Sequence, residues 1–235
     1  MNDSAFYGPG FPYKSIHDLP GKLIVLEGTD GVGRSTQIQL LRSWLEDAGY
    51  AVSDTGLRRS PLTQPGLSAA KSGHTLSSMT MSLFYATDFA DRLENQIIPA
   101  LKAGFIVLSD RYFYSIIARD VVRGGDIEWA RKVYGFALKP DIILYLKSSV
   151  PTLVTRMLNG RGFNYWESGM DIRCADSLYD SFLTYQTQLI EQFDRMAEEY
   201  HFVTIDANRS VQEVFESLAC HIRKHLGQGK DTPDC

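Results

Sequence analysis

The stretch Leu23-Ile24-Val25-Leu26-Glu27-Gly28-Thr29-Asp30-Gly31-Val32-Gly33-Arg34-Ser35-Thr36 decides how this chain folds. Its opening Leu-Ile-Val-Leu is apolar, partly β-branched and too short for an ordinary helix, so it reads as a buried strand. Gly28 to Thr36 then fit G-x-x-x-x-G-K-[ST], with Arg34 in the lysine position. Glycines at Gly28, Gly31 and Gly33 let the backbone turn so that the N–H groups of Val32, Gly33, Arg34, Ser35 and Thr36 converge on an anion. The helix that follows adds its positive N-terminal end. Ser35 then stands where a hydroxyl holds Mg²⁺. The context fits, because Ile38, Leu41, Trp44 and Leu45 recur at helical spacing directly after the loop. A glycine turn without a ligand is the plainer alternative.

Arg34 departs from the pattern. Lysine delivers a compact charge, whereas arginine is bulkier and donates through a planar fork able to bridge two oxygens. Two readings stand: the loop works with altered geometry, or it binds nucleotide without turnover.

Three more apolar runs follow, Phe105–Leu108, Ile142–Leu146 and Phe202–Ile205, with a weaker strand at Ala51–Leu57. Their continuous rather than alternating hydrophobicity is that of strands covered on both faces, as in a parallel sheet between helix layers. Helical spacing connects them: Leu83, Ala86, Ala90, Leu93 and Ile97 before the second run, and Phe182, Leu189, Phe193 and Met196 before the last. Ser149 with Pro151, and Ser210, are expected to cap helices. Residues 1–20, rich in glycine and proline without periodicity, read as an irregular extension in which chemistry is not expected. Residues 21–226 read as one domain and 227–235 as a frayed tail.

Composition sets the limits. The chain has 235 residues, 44% hydrophobic and 22% charged, with a net charge of −4. That surface is no electrostatic match for nucleic acid or an anionic membrane, so an anion site must be local. The absence of a long apolar run and of a basic-then-apolar start points to the cytoplasm. Three cysteines without a C-x-x-C pair fit neither a disulfide framework nor a zinc site. His221 and His225, four apart, read as a solvated helix end rather than a metal pair.

Asp110-Arg111-Tyr112 ends the second strong strand. In open α/β sheets ligands gather beyond the carboxyl ends of the strands, so both charges are expected to face the crevice that the phosphate loop faces. Asp110 would position Mg²⁺ or its waters, and Arg111 a phosphate. A structural acid–base pair is the alternative.

From Lys22 to about Leu218 the chain resembles the thymidylate kinases of the nucleoside monophosphate kinase superfamily. The likeness rests on Glu27-Gly28-Thr29-Asp30-Gly31, Ile98-Pro99-Ala100-Leu101 with Gly104, Asp110-Arg111-Tyr112, Lys139-Pro140-Asp141 and Ile205-Asp206-Ala207. It implies a three-layer α/β/α P-loop kinase fold with a five-stranded parallel sheet and a short lid at about 158–175. It also implies ATP and Mg²⁺ on the donor side, a nucleoside monophosphate, most of all dTMP, as acceptor, and a homodimer. An acceptor phosphate that is already ionised needs no general base, so arginines should outnumber histidines at such a site.

Residue by residue, the resemblance gives the loop and Arg156 to ATP, and gives Asp30, Arg59, Arg111 and Glu167 to the acceptor. Some members keep a catalytic arginine inside the loop and others in the lid. With Gly31 after Asp30, the lid must supply it here, and Arg161 comes before Arg156. Arg34, Asp110, Arg111 and Arg161 are the expected catalytic set, and Ser35 and Asp110 the metal set. The acceptor pocket departs most: the base-stacking aromatic falls at Tyr85, but the arginine that donates to the thymine carbonyl falls at Phe89, with Arg92 three residues on. The tyrosine near the sugar becomes Arg119, followed by Asp120, and Ser60 replaces a glutamate. An active dTMP kinase, a kinase of the same fold for another acceptor, and a nucleotide-binding regulator all remain open at this level.

Overall fold

A computed structural model describes residues 5–13, 16, 19–73 and 76–227. In chain order the elements are β1 (Lys22–Gly28), α1 (Arg34–Asp47), β2 (Val52–Gly56), α2 (Gln64–Gly73), α3 (Ser78–Arg92), a π-helical turn (Leu93–Ile97), α4 (Ile98–Lys102), β3 (Ile106–Asp110), α5 (Phe113–Val122) and α6 (Ile127–Val133). Then come β4 (Ile142–Lys147), α7 (Val150–Leu158), a 3₁₀ turn (Met170–Ile172), α8 (Leu178–Glu199), β5 (Val203–Asp206) and α9 (Val211–His225). The strands form one five-stranded parallel sheet in the order β2-β3-β1-β4-β5, the α/β fold expected from the sequence. In β1 every residue after Lys22 is buried, which is why Leu23-Ile24-Val25-Leu26 is an unbroken apolar run, with Glu27 buried after it.

The chain divides into two compact units. The first comprises the residues up to Val25 with Arg42–Asp141, and the second Leu26–Leu41 with Ile142 onward. In the first, β2 pairs with β3 from Val52↔Ile106 to Gly56↔Asp110. Its core is aromatic: Phe89 lies 4.7 Å edge-on from Tyr112, and Phe113 stacks 5.8 Å from Tyr134. The buried stripe of α3 runs Ser82, Ala86, Phe89 and then Leu93, so Leu83, expected in the core, is turned outward and 46% exposed. Beyond it the helix widens for one π turn, with Ile98 N–H bonded to Leu93 O. Pro99 explains the widening, because it lacks an N–H and its ring would meet a carbonyl of the preceding turn in a regular helix.

In the second unit β4 pairs with β5 from Leu144↔Val203 to Lys147↔Asp206. Leu41, Leu144, Leu153, Phe182, Leu189, Leu218 and Ile222 are fully buried. Each such side chain contributes ~1.5–3 kcal/mol by leaving water, so Leu144→Ala should cost ~2–5 kcal/mol. The expected caps form: Ser149 accepts from Thr152 N–H, and Ser210 with Glu213 makes a reciprocal capping box. Cys220 is disulfide-bonded, which the odd cysteine count did not signal.

Candidate active site

The candidate residues fall in both units and are described unit by unit. In the second, the chain leaves β1 through Gly28 at φ 143°, where a Cβ would lie 2.6 Å from the Leu146 carbonyl oxygen. Only glycine lets the loop pass that close to β4. At Gly33, φ 102°, a Cβ would meet nothing within 4 Å, so the loop opens onto free space at the start of α1. Ser35 and Thr36 are exposed in that first turn, whereas Thr29, Asp30 and Val32 are buried beneath it.

Arg34 takes a course the motif did not foretell. Its Nη1 donates to Gly28 O at 2.6 Å and to Thr29 O, and the side chain is only 7% exposed. Two carbonyls that would otherwise point into the loop interior thereby gain a charged donor. Arg156 braces the loop from α7: its Nη1 donates to Val32 O at 3.0 Å and its Nη2 to Ala207 O at 2.7 Å, beyond β5.

The segment between α7 and α8 carries Arg161 and Glu167. Arg161 Nη2 lies 2.7 Å from both carboxylate oxygens of Glu167. Its anchoring to α8 is through backbone: Gln186 Nε2 donates to Glu167 O at 2.8 Å and Ser181 Oγ to Ser168 O at 2.6 Å. Gly169, at φ 65°, sits where a Cβ would be 2.8 Å from the Tyr185 ring.

In the first unit, Asp110 ends β3 half-buried and Arg111 follows at φ 71°, in the left-handed region that arginine rarely enters. Ser109 Oγ donates to Arg111 O at 2.6 Å and holds that turn. Such strain in a non-glycine residue persists only where the surroundings impose it, and it concentrates at functional sites. Arg58, at φ 60°, is a second case beside Arg59. Arg59 Nη1 donates to Asp54 Oδ2 at 2.8 Å and the side chain is 45% exposed.

The loop carrying Arg59 is gripped by a residue the sequence reading passed over. Asp88, fully buried on α3, accepts from Arg58 N–H at 3.0 Å, Ser60 N–H at 3.1 Å, Thr63 Oγ1 at 3.0 Å and Arg92 Nε at 3.0 Å. The signal was present: a carboxylate within a buried helical stripe, four residues before an arginine. Ser60, in the place of the family's glutamate, donates its hydroxyl to Asp91 at 2.5 Å. Arg92 itself is fully buried, with its guanidinium 5.6 Å from the Phe89 ring and its Nη1 and Nη2 without a hydrogen-bond partner among the described residues.

Around Tyr85 the structure gathers cations. Lys71 Nζ of α2 lies 5.7 Å from its ring centre. Burial pushes the phenol up, but Lys71, with Arg119 and Arg58, outweighs it and leaves Tyr85 below its ordinary value. Burial also lowers Lys71, which the sequence reading missed because it lies outside every motif. Asp120 is half-buried beside Ser82, whose Oγ is 3.4 Å from Oδ2. Burial raises its carboxyl, and Ser82 and Arg123 only partly offset that.

The thymidylate kinase family profile matches residues 26–218. A relative described as probable thymidylate kinase 2, from Saccharolobus solfataricus, is 40% identical over 212 residues, covering 89% of this chain and 97% of its own. Probable thymidylate kinases of Thermococcus kodakarensis and Thermococcus gammatolerans are 34% and 30% identical, covering 87% and 89% of this chain and 98% and 99% of theirs.

Proposed function

Because the chain belongs to the thymidylate kinase family, we propose that it transfers the terminal phosphoryl group of ATP to dTMP, giving ADP and dTDP. The observation that carries this is the loop from Gly28 to Ser35, open at Gly33 and ending in an exposed hydroxyl at the start of α1. Its N–H groups and the helix end bind the triphosphate. Arg59 and Arg111 hold the acceptor phosphate, whose oxygen attacks without a general base. Arg161 stabilises charge on the transferring group as the lid excludes water. Arg156, tied to the loop and to Ala207, keeps the ATP side in shape.

Mg²⁺ fits these residues. The protein ligands the sequence offers are oxygens, the Ser35 hydroxyl and the Asp110 carboxylate, and Mg²⁺ is bound through few protein oxygens plus substrate phosphates rather than a protein cage. Ser35 and Asp110 would hold the ion, which would supply positive charge to offset that on the transferring phosphoryl group. The same reading includes a homodimer in the cytoplasm. Met79 and Leu83, one turn apart on α3 and 63% and 46% exposed, support an apolar contact with a second copy.

At the acceptor, Phe89 offers no donor to a base carbonyl and Arg92 is engaged by Asp88. A missing hydrogen bond is worth ~1–3 kcal/mol, roughly tenfold to a hundredfold in selectivity. The reading is therefore dTMP turnover with weak discrimination among bases, and Phe89 is the observation favouring a second reading, a different monophosphate as preferred acceptor. ATP with dTMP, dUMP, dGMP, UMP, GMP and AMP in competition tests both. Exclusive turnover of dTMP refutes the weak discrimination, and no turnover of any acceptor leaves a nucleotide-binding regulator.

A further inference from the structure

The segment 5–13 precedes the residues that the family profile matches, 26–218, yet it is built into the first unit. Phe6 forms an antiparallel bridge with Leu138, and Lys139 N–H donates to Ala5 O at 2.8 Å. Tyr7 N–H donates to Ala137 O at 3.0 Å and Gly8 N–H to Gly135 O at 2.8 Å. Side chains continue the grip: the Tyr7 ring lies 5.3 Å from Phe113, its hydroxyl is 2.5 Å from the Tyr114 hydroxyl, and Phe11 lies 5.8 Å from Phe136. Tyr13 donates to Glu94 at 2.5 Å. Hydrogen bonds and aromatic contacts at this density order a segment that its glycines and prolines alone would leave irregular.

What the segment grips is the support of Arg111. Tyr112 Oη donates to Leu138 O at 3.2 Å, and Leu138 is the residue that Phe6 bridges. Phe113 and Tyr114, which Tyr7 touches, are the first residues of α5. Arg111, at φ 71°, is followed at once by these anchors. A left-handed arginine relaxes unless its flanks are fixed, and a displacement of about 1 Å at a phosphate-holding residue is worth on the order of a hundredfold in rate.

We propose that residues 5–13 are a strap that positions Arg111 for the acceptor. The proposal rests on the reading of Arg111 as an acceptor-phosphate arginine. The strap acts through Tyr112, Phe113 and Tyr114, and none of its own atoms is assigned to substrate. Two full-length variants loosen it differently. Tyr7→Phe removes only the hydroxyl facing Tyr114. Gly8→Ala brings a Cβ to 2.9 Å from the Gly135 backbone, which must shift.

Both variants are compared with wild type below the melting temperature of all three, by steady-state kinetics and by amide hydrogen exchange over 111–116. Gly8→Ala is expected to raise the KM for dTMP and lower kcat, together on the order of tenfold or more, with Tyr7→Phe in the same direction and smaller. The KM for ATP should stay within about twofold. Exchange over 111–116 should quicken ahead of exchange in β3. Unchanged kinetics with only a lower melting temperature, or equal rises in both KM values, overturns the proposal. If wild type turns over no monophosphate, the acceptor reading fails, and the exchange comparison alone then decides whether the strap holds this turn.

Discussion

Arg161 and Glu167 are paired two to one, a single guanidinium nitrogen lying 2.7 Å from both carboxylate oxygens. The arginine side chain is 60% exposed, so the pair contributes only ~0–1 kcal/mol. Phosphate oxygens present a denser negative charge, and the latch is weak enough for them to take the arginine. Arg161→Ala should therefore leave the melting temperature and the KM for ATP nearly unchanged while kcat falls by about a hundredfold or more. A rise in KM alone transfers the role to Arg156.

Arg34 faces inward in this structure, and that changes what its removal does. Arg34→Ala leaves the Gly28 and Thr29 carbonyls without their charged donor, which should destabilise the fold by ~1–3 kcal/mol. Affinity for ATP should fall by about 2 kcal/mol, because the loop loses a positive charge in a dry site. Arg34→Lys keeps the charge and should keep ATP binding. Titration calorimetry and thermal melts separate the two effects, and equal ATP affinity in wild type and Arg34→Ala removes Arg34 from the phosphate site.

Asp88 and Arg92 make a buried pair whose carboxylate also holds the loop of Arg59. Asp88→Asn strands a buried guanidinium and should destabilise by ~3–5 kcal/mol. Adding Arg92→Met should recover part of that loss, since no uncompensated charge then remains. The KM for dTMP should rise in both variants, with little change in the KM for ATP. Strict additivity of the two substitutions in denaturant unfolding contradicts the coupling.

The strand, loop and helix from Leu23 to Leu45 were legible because each depends on local pattern: an apolar run, glycines where backbone must turn, and helical spacing. Asp110 and Arg111 were legible as charges at a strand end, but the left-handed turn between them was not. Arg34 and Arg92 were legible as residues and not as geometry. Arg34 reads as a phosphate ligand and Arg92 as an acceptor-pocket donor, and both are engaged instead by acceptors the sequence pattern does not encode, backbone carbonyls for one and Asp88 for the other. The grip of Asp88 on Arg58, Ser60 and Thr63 spans 25–30 residues, beyond any periodicity. Residues 5–13 lacked a pattern because their order comes from the stretch 135–139 of the same chain, not from themselves.

Asp120 offers a test by pH. Burial holds its carboxyl above the ordinary value of 3.8, with Ser82 and Arg123 pulling the other way. The folded state therefore binds this proton more tightly than the unfolded state, and the charged form opposes folding. As pH falls through the window between the raised value and 3.8, Asp120 takes up a proton and that penalty disappears. Asp120→Asn, which carries no charge at any pH, should melt higher than wild type near neutrality. The gap should narrow as pH drops through the window and vanish below it. A carboxylate kept at such a disadvantage fits a role toward substrate, and the resemblance to the family sets Arg119 and Asp120 near the acceptor sugar, where a carboxylate would accept a hydrogen bond from a ribose 2′-hydroxyl. The same variant should therefore turn over UMP less well relative to dUMP than wild type does. A melting difference independent of pH refutes the burial argument. An unchanged UMP to dUMP ratio removes Asp120 from the sugar.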